Sequence, residues 1–242
     1  MSEVAISIIT PILNGERFIR NNIESVLKLE IPHEHIVIDG GSTDDTLRIL
    51  GEYSHLIVLH QSCKTGMYGA IDMGFHAAKG DYICWVNCDD RIVPSGYKKM
   101  YEYATTKKLD FVCSDGVFEY FPKNRIKKVK GTHFVKYLLR KGIFPFSQPS
   151  VIYTRNLYFD VGGLDYDHFK ICGDMELFWR FALAKGKRFG YVKVISSVFL
   201  KYGESLGDKG TQLGRDELTS SKVTKPSKMA VCLHRIVRLL GI

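Results

Sequence analysis

Apolar runs of strand length recur through the first 115 residues: VAISII (4–9), IVID (36–39), LIVLH (56–60), YICWV (82–86) and FVCSD (111–115). Between them apolar residues return at helical spacing. Ile19, Ile23, Val26 and Leu27 do so after Gly15, Leu47, Ile49 and Leu50 after GGSTDDT, and Ile71, Phe75 and Ala78 after Gly66. Strands that alternate with helices in this way predict an α/β fold with a mostly parallel sheet flanked by helices. Pro11 is expected to close the first strand. Ser42 or Thr43 is expected to cap the second helix and Gly80 to end the third. A further helix is expected near 96–105.

Beyond residue 115 the rhythm changes. GVFEYFPKNRIKKVK (116–130) alternates like a hairpin, helices are expected over 132–141, 155–161 and 174–185, and residues 188–202 read as one or two strands. One domain over 1–215 is expected, with halves 1–115 and 116–215. A basic, polar joint and an amphipathic tail, MAVCLHRIVRLLGI (229–242), make up 216–242.

The 242 residues are 45% hydrophobic and 25% charged, the balance of an ordinary globular chain, and no apolar run reaches the length of a membrane-spanning helix. The first residues lack a basic segment and a cleavage site, so a cytoplasmic location is expected. Six cysteines, without CxxC or zinc spacing, argue against structural zinc and a disulfide framework. The net charge of +8 favours polyanionic partners or an anionic surface, although basic runs such as KNRIKKVK (123–130) read equally well as solvated faces.

Ligands of open α/β sheets bind at the carboxyl ends of the strands. Three such ends carry acids or loop-formers: Thr10-Pro11, Asp39-Gly40-Gly41 and Asn87-Cys88-Asp89-Asp90. Asp39 is either a turn residue or an acceptor for a ribose or base. Asp89 and Asp90 are two adjacent acids at the end of an apolar strand. They are a turn, or they hold Mg²⁺ or Mn²⁺, which takes carboxylate oxygens together with substrate phosphates. Asp174 begins the inward face of a helix through Leu177, Phe178 and Phe181. It is either an N-cap or a carboxylate aimed into the cleft. Glu176 is placed to pair with Arg180.

The ordered combination of SIITPILNGERFIRNNIESVL, HIVIDGGSTDDTLRIL, GMYGAIDMGFHAAKGDYICWVNCDD and GDMELFWRF resembles the family 2 glycosyltransferases of the GT-A fold. The likeness covers residues 4–205 and is nearest to bacterial enzymes of exopolysaccharide and lipopolysaccharide synthesis, of the colanic acid type. It implies an inverting, single-addition, metal-dependent transfer from a nucleotide-diphosphate sugar, of UDP type, to a saccharide or lipid-linked acceptor. It further implies that Thr10, Pro11 and Asn14 border the nucleotide and that Asp39 contacts the base. The segment containing Gly66 and Tyr68 would line the donor site. Asn87-Cys88-Asp89 would replace an Asp-x-Asp motif, with Asp89 meeting the metal and Asp90 beside it, and Asp174 matches the catalytic base. Lys64, Gly69 and Asp72 depart from the residues usual in such enzymes.

Two other classes compete. A nicotinamide dehydrogenase needs G-x-G-x-x-G in its first turn, where this chain has TPILNG. A polyanion-binding module leaves Asp89, Asp90 and Asp174 unexplained, and no nucleic-acid motif supports it. The tail, with Lys222, Lys225 and Lys228 upstream, is expected either to lie on anionic lipid at the inner face of the membrane or to dock on protein.

Overall fold

The computed structural model describes residues 4–61, 65–203 and 211–240. The first half alternates strands and helices: β1 (Ile6–Ile12), α1 (Ile19–Leu27), β2 (His33–Asp39), α2 (Thr46–Leu50), β3 (Ile57–His60), α3 (Gly66–Ala77) and β4 (Tyr82–Trp85). The second half contains β5 (Arg91–Ile92), α4 (Pro94–Lys107), β6 (Phe111–Tyr120), β7 (Arg125–Val129) and α5 (Val135–Arg140). It continues with β8 (Val151–Thr154), α6 (Arg155–Asp160), α7 (Gly173–Leu183), β9 (Phe189–Lys201), α8 (Thr211–Ser220) and α9 (Lys228–Leu240). One sheet runs β3-β2-β1-β4-β8-β6-β9-β5, with β7 paired to β6. Its first four strands are parallel, β6 and β9 are parallel, and β8 joins the two sets antiparallel to both neighbours. The expected α/β fold is therefore the observed one.

The central parallel strands β1, β2 and β4 are buried on both faces, which is why they read as apolar runs, whereas the edge strand β3 is partly exposed. Ile9 packs with Ile36, Phe75, Trp85 and Phe178 on one side. Its neighbour Ile8 packs with Cys84, Tyr97, Met100 and Val112 on the other. Trp85 and Phe178 stack with ring centroids 5.8 Å apart, which pins α7 over the end of β4.

Several local expectations are corrected. Pro11 lies inside β1, opposite Ile38. The β4 pairing ends at Ile9↔Trp85, so the missing N–H of Pro11 falls where β1 has lost a neighbour. Ser42 and Thr43 bond to Asn14 instead of capping α2, whose Thr46 N–H donates to Asp44 at 3.0 Å. The third helix ends at Ala77 with Ala78 as its extended C-cap, and Gly80 is a close approach, since a Cβ there would lie 2.6 Å from the Ser7 nitrogen. Leu27 is half exposed, and Asn22 takes the buried place on α1. Strands β5 and β8 were not expected, and the boundary placed at residue 215 falls within α8.

Candidate functional site

A cleft of about 470 Å³ opens at the carboxyl ends of β1, β2 and β4. Its wall includes Pro11, Gly66, Tyr68, Asn87, Asp89 and Asp174, which the sequence had already singled out. Trp85, Gln148, Ile171, Phe199 and Lys201 also line it and had not been anticipated. Sequence separation explains the omission. Gln148, Ile171, Phe199 and Lys201 meet the cleft only once β8 and β9 bring the second half of the chain beside β4, and Trp85 read as one more buried position of the apolar β4 run.

Asp174 is the second residue of α7, behind Cys172 at the N-cap, so the capping alternative fails in its simple form. Its Oδ1 accepts from Met175 N–H at 2.8 Å and lies 3.2 Å from the Tyr68 hydroxyl, which also reaches the Ile171 carbonyl at 2.8 Å. The bonds this carboxylate receives from Met175 and Tyr68 both fall on Oδ1. Burial raises the Asp174 carboxyl to about 6, against the pull of the Met175 and Tyr68 bonds. Glu176 forms the expected pair with Arg180, at 2.6 Å, and Arg180 also donates to Val161 and Gly163 carbonyls.

The strand end after β4 is divided between its two acids. Asp89 lines the cleft, and burial together with Asp89 pushes the neighbouring Tyr202 hydroxyl up. Asp90 does not line it, so of the expected pair only Asp89 faces the cleft. The Asp90 side chain is buried, with Oδ1 accepting from Leu200 N–H at 2.9 Å, and burial beside Asp89 lifts its carboxyl well above the usual range. The turn is held from beneath by Asn22, whose amide donates to the carbonyls of Asn87 and Asp90, both at 3.0 Å. Among the described residues Asn87 Oδ1 is buried without a hydrogen-bond partner, and Asn87 shares the cleft wall with Asp89. Two hard oxygen donors of this kind fit a divalent cation that takes its other ligands from phosphate and water. Among the described residues no group of three His, Cys, Asp or Glu side chains forms a complete protein cage.

Three expected residues serve the loops around the cleft. Thr10 is buried, with Oγ1 2.9 Å from His35 Nε2 and 3.3 Å from Asn22 Oδ1, and it does not line the cleft. Asn14, at φ 52°, accepts from Thr43 N–H at 2.8 Å while its own N–H donates to Ser42. Asp39 is buried and accepts from the N–H groups of Gly41 and Ser42 at 3.0 and 3.2 Å. Burial opposes its charge, but bonds from Ser42, Gly41 and His60 more than offset this and hold the carboxyl low. Asp39 therefore shapes the turn that presents Gly40 to the cleft. Among the departures, Gly69 leaves room for Thr65, whose Cβ would lie 2.4 Å from a Cβ at 69. Asp72 accepts from the Tyr158 hydroxyl. Lys64 lies outside the described residues.

The segment that delivers Asp174 is fastened from α8. Glu217 is buried, and its carboxylate accepts from three successive backbone N–H groups: Lys170 at 2.6 Å, Ile171 at 3.0 Å and Cys172 at 2.8 Å.

The Glycosyl transferase family 2 model matches residues 7–175. The chain is 33% identical over 134 residues to Glycosyltransferase GlyG of Streptococcus pneumoniae serotype 4, covering 50% of this chain and 44% of GlyG. It is 30% identical over 113 residues to Poly(ribitol-phosphate) beta-glucosyltransferase of Bacillus spizizenii, covering 43% and 18% of the two chains. It thus spans less than half the length of either relative. The S. aureus TarS 1–349 crystal structure in complex with UDP superposes with a TM-score of 0.67 at 20% identity, over 92% of this chain and 68% of TarS, a likeness of fold. With the family model covering most of the chain, the protein belongs to the family 2 glycosyltransferases.

Proposed function

We propose that the chain transfers a sugar from a nucleotide-diphosphate sugar, UDP being the favoured nucleotide, to a saccharide or lipid-linked acceptor in cell-surface polysaccharide synthesis, with inversion and one addition per encounter. The observation that carries this is a single cleft lined by both Asp89 and Asp174. Relatives named for glycosyl transfer and a neighbour of the same fold in complex with UDP support it.

In this mechanism Asp174 takes the proton of the acceptor hydroxyl as that oxygen attacks the anomeric carbon and the bond to the diphosphate oxygen breaks. Oδ1 is occupied by Met175 and Tyr68, so the proton goes to Oδ2. A carboxyl raised to about 6 is a stronger base than an ordinary Asp and is still ionised at neutral pH. Glu217 and Tyr68 position it by holding residues 170–172 from two sides. Asp89, with Asn87 alongside, would hold Mg²⁺ or Mn²⁺. Such an ion supplies charge neutralisation to the departing diphosphate.

No described helix is long and apolar enough to cross a membrane. Attachment of the tail to an anionic inner membrane face remains part of the proposal, supported by its amphipathic, basic helix. Thermal melts with UDP-, GDP- and dTDP-sugars, with and without Mn²⁺, test the donor assignment. A Mn²⁺-dependent rise with a UDP-sugar is expected, because a ligand of the native state stabilises it. No shift with any of the nine combinations of sugar and nucleotide from glucose, galactose and N-acetylglucosamine would refute it.

A further inference from the structure

On one side the cleft wall continues into the strands β9, β6 and β7, which lie side by side in fixed register. Phe199 stands opposite Phe118 and Phe118 opposite Lys127, while Lys201 stands opposite Tyr120 and Tyr120 opposite Arg125. Partners across a sheet share a face, as do residues two apart on a strand. Phe199 and Lys201 line the cleft, so all six side chains belong to the face that continues out of it. The contacts agree with this placement. The Phe118 and Phe199 ring centroids are 5.4 Å apart, Lys201 Nζ is 4.8 Å from the Phe199 centroid, and the Arg125 guanidinium is 5.9 Å from that of Tyr120.

The two faces of this hairpin differ in charge. On the far face Lys128 pairs with Asp115 at 2.9 Å and Arg91 pairs with Glu119, with Ile126 exposed between them. On the cleft face Arg125 and Lys127 are exposed, and neither forms an ion pair with a carboxylate among the described residues. One side is neutralised from within, and the other alternates cations with flat rings.

We infer that the cleft face of β9, β6 and β7 is a subsite for a phosphate-bearing saccharide, the acceptor held as it enters the cleft. This rests on the glycosyltransferase reading of the cleft and adds the chemical class of the acceptor. Rings offer apolar faces to sugar rings, and Arg and Lys meet phosphate oxygens with charge-assisted hydrogen bonds. Neighbouring strands are about 4.8 Å apart, so Arg125 and Lys127 stand roughly 10 Å outward from β9, beyond the donor's diphosphate at Asp89. A phospholipid surface carries the same phosphate chemistry. A membrane would be met by the apolar side of the hairpin, and the exposed Ile126 is on the other face.

The test is isothermal titration of the full chain and of an Arg125→Ser/Lys127→Ser double variant. Both positions are exposed, so the variant should melt as the wild type does. The titrants are a glucose tetrasaccharide bearing a terminal phosphate, the same tetrasaccharide without it, phosphatidylglycerol vesicles, and UDP. The wild type is expected to bind the phosphorylated form at least tenfold more tightly than the neutral one, and the variant to lose that difference. UDP affinity is expected to be equal in the two proteins. The proposal is overturned by equal wild-type binding of both tetrasaccharides, by no binding of the phosphorylated one, or by binding of vesicles alone. It is also overturned if the variant loses UDP affinity in step, because the cations then serve the donor. Failure of both proteins to bind UDP would instead refute the donor assignment.

Discussion

Asp174 carries the chemistry of this account, and its setting determines how it should titrate. Burial raises its carboxyl to about 6, and only the ionised form accepts a proton, so turnover should rise with pH through about 6 and then level. Asp174→Asn should keep the fold and donor affinity while turnover falls roughly 10²–10⁴-fold, the usual contribution of a general base. Turnover within a few-fold of wild type would reduce Asp174 to a first-turn helix residue. Asp89→Ala should remove Mn²⁺-dependent UDP binding while the protein stays folded, as the cleft loses an anionic ligand and the fold loses the bond from the Tyr202 hydroxyl to that side chain. These two acids were legible in the sequence because each ends or begins an apolar pattern. Asp90 and Thr10 stand outside the cleft wall, since sequence gives adjacency but not direction. Asp90 Oδ1 accepts from Leu200 N–H, and Thr10 lies against His35 and Asn22.

At the scale of elements, the cleft is assembled by long-range clamps. Asn22 on α1 fixes the turn after β4, and Glu217 on α8 fixes the segment before α7. Neither left a sequence trace. Asn22 occupies an otherwise apolar helix face, and Glu217 opens a polar stretch that reads as a linker. Their partners are backbone groups 65 and about 45 residues away, which no local pattern reveals. Glu217→Gln replaces one accepting oxygen with an amide that faces a backbone N–H. The cost in stability should be about 1–3 kcal/mol, measurable by urea unfolding. The charge of Glu217 also pushes Asp174 upward, so the acid limb of the rate profile should move to lower pH. A fall in kcat at constant donor KM, with that shift, marks a positioning role. A loss of stability without the shift marks a purely structural one.

For the molecule as a whole, the alternation of strands and helices specified the sheet, and the apolar runs specified its doubly buried strands. The second half was harder to read because β8 and β5 are short and their partners lie far along the chain. The tail's two alternatives meet in one helix. Ala230 and Val231 at the start of α9 pack on Leu138 and Ile143, while Met229 is exposed. The side chains of Leu233 and of residues 236–240 lie outside the described residues. Ending the chain at Lys225 should therefore lower the melting temperature. Flotation with anionic liposomes should separate docking from membrane attachment, since attachment alone is lost in high salt.

The central claim is that Asp174 drives direct displacement at the anomeric carbon within this cleft. Proton NMR of the product formed from an α-linked UDP-sugar tests it most directly. The account predicts the large anomeric coupling of a β-linked gluco-configured product. An α-linked product would contradict it, whatever the donor and acceptor prove to be.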